Sequence, residues 1–256
     1  MKWHRIWAVA YRLLIQYNKD FNKLASIFYW PVLDIIVFGF MITSISQPTE
    51  NNGLLINIAL WPLVNRGSLT LSLALFEELR SQNLANLLTT PLTIYEWIVG
   101  SILEGALSSL AVLGVCSGIL WGLFHVNVLE AGLLIIPVCI FGFLTGVAIS
   151  FLTTAILIAW GTRFQTIIWM AGWGFGLISG IFYPIENLPG FLQSAAQLFP
   201  LHYLFSNIRE FVSTQQFTLF NLLIGILGSI GYFLCCGALF LLAYKYSRKQ
   251  GLNHLV

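Results

Sequence analysis

The sequence predicts an all-α integral membrane protein with six transmembrane helices, on the strength of three observations. Of its 256 residues, 58% are hydrophobic and 9% are charged, whereas a soluble domain has roughly 25% charged residues. Six apolar runs are long enough to cross a hydrocarbon layer of about 30 Å, which takes about 20 residues. Lys and Arg gather in the connections on one side of these runs. So few charges cannot cover a water-facing surface, which excludes a soluble globular fold.

The six predicted spans lie in a single domain, residues 1–256, and the basic residues predict their direction. The spans cover residues 27–45, 54–75, 97–124, 132–159, 164–183 and 217–244. Ten Lys and Arg residues lie at the termini and in the connections between spans two and three and between spans four and five. The connections on the other side contain only Arg209. The positive-inside rule therefore predicts that both termini are cytoplasmic.

Residues 1–26 are predicted to form an amphipathic helix that lies on the membrane. Apolar residues recur there every three or four positions: Trp3, Ile6, Trp7, Ala10, Tyr11, Leu14, Tyr17, Phe21 and Leu24. The opposite face carries Arg5, Arg12, Lys19 and Lys23. A basic amphipathic helix with aromatic residues on its apolar side is typical of the headgroup boundary. An ordinary soluble helix is the alternative.

The connection between spans two and three, residues 76–92, is predicted to contain a short cytoplasmic helix with one apolar side. That side consists of Leu79, Leu84, Leu87 and Leu88. Pro91 ends the helix, because proline disfavours helical geometry in the residue before it. Thr93 and Glu96 have the spacing of a capping box for the next helix. The short helix is interpreted as docking into a partner's groove or as lying on the lipid surface.

The connection between spans five and six is predicted to fold back toward the membrane over residues 184–206. Backbone inside hydrocarbon must satisfy its own hydrogen bonds unless it is buried in protein or lies beside water. Pro184, Pro189 and Pro200 are therefore interpreted as turns of a re-entrant hairpin, with apolar contacts from residues such as Phe191 and Phe199. An amphipathic loop on the outer surface is the alternative.

Three charged residues lie inside predicted spans. Asp34 and Glu104 are each seven residues, about 10 Å, from the cytoplasmic end of their span, and Arg66 is about 13 Å from the end of its own. Ionised groups at this depth are costly unless they are paired or hydrated. We therefore expect Arg66 to pair with Asp34, Glu104 or both. A structural ion pair and a role in substrate passage both remain open.

Glycines repeat at four-residue steps in two spans. Gly172, Gly176 and Gly180 do so in span five, and Gly142 and Gly146 do so in span four. Small residues at this spacing let helices approach closely. The contact could be made within one chain or between two copies.

Motifs for catalysis and nucleotide binding are missing from the sequence. None of the five lysines is preceded by glycine, so a phosphate loop of the G-x-x-x-x-G-K-[ST] type is absent. The four cysteines and four histidines form no metal-binding or nucleophile–base pattern. The chain is predicted to have no catalytic residues, no metal and no cofactor of its own.

Two segments resemble ABC-2 type exporter permeases. EELRSQNLANLLTTPLTIYEWIVGS is similar to the cytoplasmic coupling segment of that family, and GIFYPIENLPGFLQSAAQLFPLHYLFSNIRE is similar to the segment after its fifth span. The first match depends on Leu87, Leu88, Thr90, Pro91 and Leu92. The second depends on Gly180, Phe182, Tyr183, Pro184, Leu188, Pro189, Pro200, Leu201, Tyr203 and Arg209. Asn83 departs from the family pattern, which often has Gly there.

The resemblance implies a homodimeric permease in a bacterial cytoplasmic membrane, worked by a separate ATPase subunit that binds ATP and Mg. It implies an ATPase coupling segment with Glu77, Glu78, Arg80, Leu84, Leu87, Leu88 and Pro91. It also implies a re-entrant gate with Tyr183, Pro184, Pro189, Phe191, Phe199 and Pro200, and a dimer contact that favours the series Gly172, Gly176 and Gly180. The expected cargo is a lipid-linked glycan or a hydrophobic small molecule, and no nucleic acid partner is expected. The alternative is a self-contained secondary transporter or channel that uses Asp34, Arg66 and Glu104 as an ion relay.

Overall fold

The chain folds into a bundle of α-helices, seen in a computed structural model that describes residues 1–45, 48–81, 83 and 89–250. Within those residues the regular secondary structure is helical. The helices are α1 Trp3–Lys19, α2 Phe21–Ile45, α3 Pro48–Arg80, α4 Ile94–Phe124, α5 Ile135–Trp160, α6 Thr166–Ile178, α7 Gly190–Gln197, α8 Pro200–Thr214 and α9 Leu219–Gln250. The predicted all-α class is confirmed.

Helix α3 lies at the centre of the bundle, where it contacts α2, α4, α5, α6 and α8. Its approach to α5 is close enough to depend on glycine: a Cβ on Gly146 would lie 2.3 Å from the carbonyl oxygen of Val64. One turn further along α5, the Ser150 hydroxyl accepts hydrogen bonds from the backbone N–H groups of Leu71 and Ser72, at 2.9 and 3.1 Å. Small residues on α5 therefore bring the two backbones together.

Five of the six predicted spans correspond to helices that are long and apolar enough to cross a membrane. These are Phe21–Ser44, Asn52–Arg80, Ile94–Phe124, Val128–Trp160 and Leu219–Ser247, among the described residues. The predicted fifth span, 164–183, contains instead the 13-residue helix α6, which is about 20 Å long. The reason is local. Gly180 has a φ of +70°, a left-handed conformation that ends a helix.

Helix α1 packs on the bundle with one part of its apolar surface and exposes another. Ile6, Val9, Ala10 and Leu13 are buried, and a Cβ on Gly100 of α4 would lie 2.7 Å from the Cβ of Val9. Trp3, Trp7 and Tyr11 are exposed. The predicted apolar stripe therefore divides into two faces, one buried against the bundle and one exposed, and its place on the membrane stays a prediction. The inner face binds the protein.

The predicted prolines do form turns after α6. Pro184 and Pro189 are extended residues that each precede a short helix, and Pro200 is the first residue of α8. Proline is favoured at that position because the first helical N–H needs no partner. α7 contacts α6 and α8, and α8 contacts α3 and α9. α8 continues to Thr214, beyond the predicted end at residue 206.

Candidate functional site

Ion pairs fasten the N-terminal helices to the last turns of α3. Arg12 of α1 pairs with Glu78, and Lys23 Nζ at the start of α2 lies 2.7 Å from Glu77 Oε1. Both acids belong to α3, which continues as a helix to Arg80. The sequence predicts that residues 76–80 belong to a separate short helix. They extend the second span instead.

The same N-terminal helix is also fastened to the start of α4. The predicted capping box is confirmed: the Thr93 N–H donates to Glu96 Oε2 at 3.0 Å, and the Glu96 N–H donates to Thr93 Oγ1 at 3.3 Å. Glu96 Oε1 also accepts the backbone N–H of Lys2 at 2.8 Å. Arg5 Nη1 lies 3.7 Å from Glu96 Oε2 and donates to the carbonyl oxygen of Pro91.

We call these three ion pairs the N-terminal clamp: Arg12–Glu78, Lys23–Glu77 and Arg5–Glu96. Helix α1 joins the two ends of the connection between α3 and α4 through Arg5 and Arg12, and α2 adds the pair of Lys23. Three of the four residues of the predicted basic face are therefore in ion pairs, and the fourth, Lys19, is exposed. The missed signal was the presence of acids at the facing ends of spans two and three.

The other predicted coupling residues divide between described and undescribed parts of the connection. Arg80 and Pro91 are exposed, and Pro91 lies in a bend three residues before α4. Leu84, Leu87 and Leu88 lie outside the described residues. The docking surface therefore stays a prediction. The structure describes the clamp, which lies at the two ends of the connection.

A second polar cluster lies deeper, where α1, α3 and α4 meet. Arg66 Nη2 lies 3.4 Å from Glu104 Oε1, 2.9 Å from the Tyr17 hydroxyl and 3.1 Å from Ser108 Oγ. The Tyr17 hydroxyl donates to Glu104 Oε1 at 2.6 Å. Burial raises the pKa of Tyr17 above its usual value, and Arg66 opposes that shift. The phenol therefore stays protonated and donates.

Of the two carboxylates predicted as partners of Arg66, the structure brings only Glu104 to it. Asp34 makes no ion pair with the described residues and lies half-buried on α2. Next to the cluster is a cavity of about 60 Å³ whose polar lining includes Gln16, Lys23 and Glu77. That volume suits one or two water molecules. Of the three charges inside the predicted spans, Arg66 and Glu104 thus belong to this cluster and Asp34 is not ion-paired to it.

At the opposite end of α3, side chains bind backbone carbonyls across the helix junctions. Arg209 of α8 donates to the carbonyl oxygen of Gly180, where the chain leaves α6. Burial lowers the pKa of Arg209, although Glu186 opposes that shift. The Tyr183 hydroxyl donates to the Leu177 carbonyl at 2.7 Å. Phe199 is buried between the rings of Phe175 and Tyr232, with centroids 5.1 and 5.8 Å away.

The remaining predicted gate residues do not form one cluster. Phe191 is exposed on α7, away from the buried ring of Phe199. Pro184, Pro189 and Pro200 shape the chain path and make no hydrogen bond through their side chains. The residues that hold this end together are Tyr183, Phe199 and Arg209.

Three buried polar atoms lie where α6 and α8 meet α3, and they find no hydrogen-bond partner among the described residues. They are Asn57 Oδ1, Trp61 Nε1 and His202 Nδ1. The other end of the Asn57 amide donates to the Phe205 carbonyl at 3.1 Å. Burial, and secondarily Arg209, lowers the pKa of His202, which favours its neutral form. We call Asn57, Trp61 and His202 the α3–α8 seam. Sequence reasoning did not find it.

The glycine series of span five contacts α3 of the same chain. A Cβ on Gly172 would lie 2.9 Å from Ser68 Oγ, and a Cβ on Gly176 would lie 2.7 Å from the ring of Trp61. Both glycines are buried, so they are unavailable to a second copy in this arrangement. Gly180 serves the turn that ends α6. The expectation that this series favours a subunit contact is corrected for Gly172 and Gly176.

Comparison with known proteins returns one family. A family model described as ABC-2 type transporter matches residues 4–212, which include the N-terminal clamp, the Arg66 cluster and the α3–α8 seam. No curated protein matches the chain. Among the described residues, no group of three His, Cys, Asp or Glu side chains is placed to hold a metal ion.

Proposed function

Because the chain belongs to the ABC-2 type transporter family, we propose that it is the membrane subunit of an ATP-driven exporter. The family and the five membrane-length helices make the chain a multi-pass membrane transport component. The proposal adds a separate ATPase subunit below the α3–α4 connection, a second copy of this chain, and outward movement of an amphiphilic cargo. Both termini would be cytoplasmic in a bacterial inner membrane.

The observation that carries the proposal is the N-terminal clamp. A connection of about a dozen residues joins α3 to α4, and α1 is ion-paired to both of its ends. A push on the connection would therefore move α1, α3 and α4 together rather than bend the loop alone. This is how motion in an ATPase could reach the spans. The Arg66 cluster joins the same three helices about two turns further along α4 and about three turns back along α3, and it would extend that rigid unit into the bilayer.

The α3–α8 seam supports an outer gate. Asn57, Trp61 and His202 place polar atoms in this buried region, and water or cargo could bind those atoms when the helices separate. Arg209 joins α8 to the chain at the end of α6, so these two helices would move as one unit. Separation of α6 and α8 from α3 would then alternate with closure.

The cargo is proposed as an amphiphile, either a lipid-linked glycan or a hydrophobic small molecule. Trp173 of α6 is partly exposed and is stacked on Phe182, with ring planes 7° apart and centroids 6.1 Å apart. Aromatic faces of this kind suit both sugar rings and planar drugs. Both cargo classes therefore remain in the proposal.

The test separates docking from transmission. The tagged full chain is purified from its native membranes in mild detergent, and a phosphate-loop ATPase is sought among the proteins that come with it. We expect the double substitution Leu87→Asp and Leu88→Asp to abolish that association. We expect the wild-type complex to hydrolyse ATP at different rates in lipid vesicles and in detergent. Arg12→Glu should leave the ATPase bound but abolish that difference.

The charge-reversed double variant Arg12→Glu with Glu78→Arg is the matched control, since it restores the ion pair with opposite polarity. It should recover ATP turnover in vesicles at least in part. Substrate accumulation by the chain alone, driven by an ion gradient with no ATPase present, would instead establish the secondary-transporter alternative.

A further inference from the structure

An open apolar groove lies between α5 and α6, at the end where the chain passes from one to the other. Its volume is about 490 Å³, and its walls include Leu152 and Ile156 of α5 and Ile167 and Met170 of α6. Arg163, in the turn between the two helices, contributes the one charge in the lining. The hydroxyl of Thr153, another lining residue, donates to carbonyls of its own helix.

The groove follows from how α6 is placed. Gly172 and Gly176 bring α6 against α3, and α6 is only 13 residues long beside the 26 residues of α5. The side chains that α5 turns toward α6 therefore leave space between the two helices. An apolar space loses dispersion contacts unless something apolar fills it.

Arg163 differs from the basic residues of the clamp because it has no carboxylate beside it. It is exposed and makes no ion pair with any residue that the structure describes, whereas Arg5, Arg12 and Lys23 all do. Trp160 lies three residues before it in the chain and is exposed, with its ring centroid 5.9 Å from that of Phe164. Exposed tryptophan at the end of a span is typical of the headgroup layer. The guanidinium therefore lies at the depth of lipid phosphates.

We propose that this groove binds one anionic membrane phospholipid, with an alkyl chain against Leu152, Ile156 and Met170 and the phosphate against Arg163. Basic pockets between spanning helices bind anionic headgroups in this way. A soluble anion would leave the apolar walls empty. A second copy that presented the same face would bring no acid to Arg163, because neither α5 nor α6 contains Asp or Glu. The proposal is independent of transport.

The experiment is native mass spectrometry of the purified full chain, titrated with phosphatidylglycerol or with phosphatidylcholine of the same alkyl chains. We expect one phosphatidylglycerol to be retained more tightly than phosphatidylcholine. Arg163→Gln should weaken phosphatidylglycerol binding about fivefold, the effect of one cation near an anionic headgroup, and should weaken phosphatidylcholine binding less, because choline offsets the phosphate charge. Arg163→Lys should keep the preference. Ile156→Trp should weaken both lipids by filling the groove.

Lys245→Gln is the matched control, since it removes an exposed cation outside the groove and should leave both affinities unchanged. An unaltered preference for phosphatidylglycerol in Arg163→Gln overturns the proposal. Displacement of phosphatidylglycerol by water-soluble glycerol phosphate at the same concentration would also overturn it, because it would indicate a simple anion site. A changed number of chains per particle in Ile156→Trp, with lipid binding intact, would assign the groove to a second copy and also overturn it.

Discussion

Helices α3 and α9 are both long enough to span the membrane, yet they occupy opposite environments. In the most apolar 18 residues of α3, 89% are buried inside the chain, whereas in those of α9 the share is 11%. The buried helix is also the more polar one: it contains Asn57, Asn65, Arg66 and Ser68, while α9 is almost entirely apolar up to Tyr244. A soluble protein shows the reverse arrangement, in which apolar residues are buried and polar residues are exposed.

The difference shows what drives packing in a bilayer. Lipid chains are as apolar as leucine, so burial of an apolar helix gains little, and close packing and polar contacts hold helices together. Polar residues must therefore find protein partners, which places them on the central helix. Substitutions should then have large effects on α3 and its contacts and small effects on α9.

The largest effect is expected from Arg66→Leu, which leaves the buried Glu104 carboxylate without its cation. Removing one partner of a buried ion pair costs about 3–5 kcal/mol. We expect a large drop in the temperature at which the protein in detergent loses its monodisperse size-exclusion peak. Adding Glu104→Gln removes the stranded charge and should recover part of that drop. A double variant no more stable than Arg66→Leu alone would show that the pair is not the source of the loss.

A smaller but clear effect is expected from Gly146→Ala, at the contact between α3 and α5. The added Cβ would lie 2.3 Å from the Val64 carbonyl oxygen, and a backbone atom cannot move aside without separating the helices. Overpacking of this kind costs typically about 1–3 kcal/mol. The same thermal assay measures it. Wild-type stability in this variant would mean that α3 and α5 are further apart than the structure places them.

The smallest effect, with the opposite sign, is expected from Gly231→Ala on α9. No atom lies within 4 Å of the added Cβ, and glycine is exposed there. Alanine improves helix propensity by up to about 1 kcal/mol, so stability should stay the same or rise slightly. A loss as large as that of Gly146→Ala would break the comparison, because it would show that a partner covers this face of α9.

Several features were predictable from the sequence because they depend on local chemistry. Five of the six spans follow from the length of apolar runs, and the Thr93–Glu96 capping box follows from residue spacing alone. The pairing of Arg66 with Glu104 was also expected, since a buried charge at that depth needs a partner.

Other features required the arrangement of the helices. The basic face of α1 had been expected to be free, because nothing in its own spacing indicates that Glu78 and Glu96 lie within its reach. Asp34 was expected at the same depth as Glu104 by residue count, but only Glu104 pairs with Arg66 among the described residues. The short length of α6 depends on the left-handed turn at Gly180, which a run of apolar residues conceals.

The sequence by itself determined that this chain lies in a membrane, where five of its long helices lie, and which family it resembles, because composition and periodicity act along the chain. Only the tertiary structure decided that α3 is the central helix, that α1 clamps both ends of the α3–α4 connection, and that Arg163 lies beside an apolar groove without an ion-pair partner among the described residues. Those outcomes depend on which faces of separate helices meet. Hydropathy cannot encode that choice, since in lipid an apolar face is satisfied by a neighbouring helix and by a lipid chain alike.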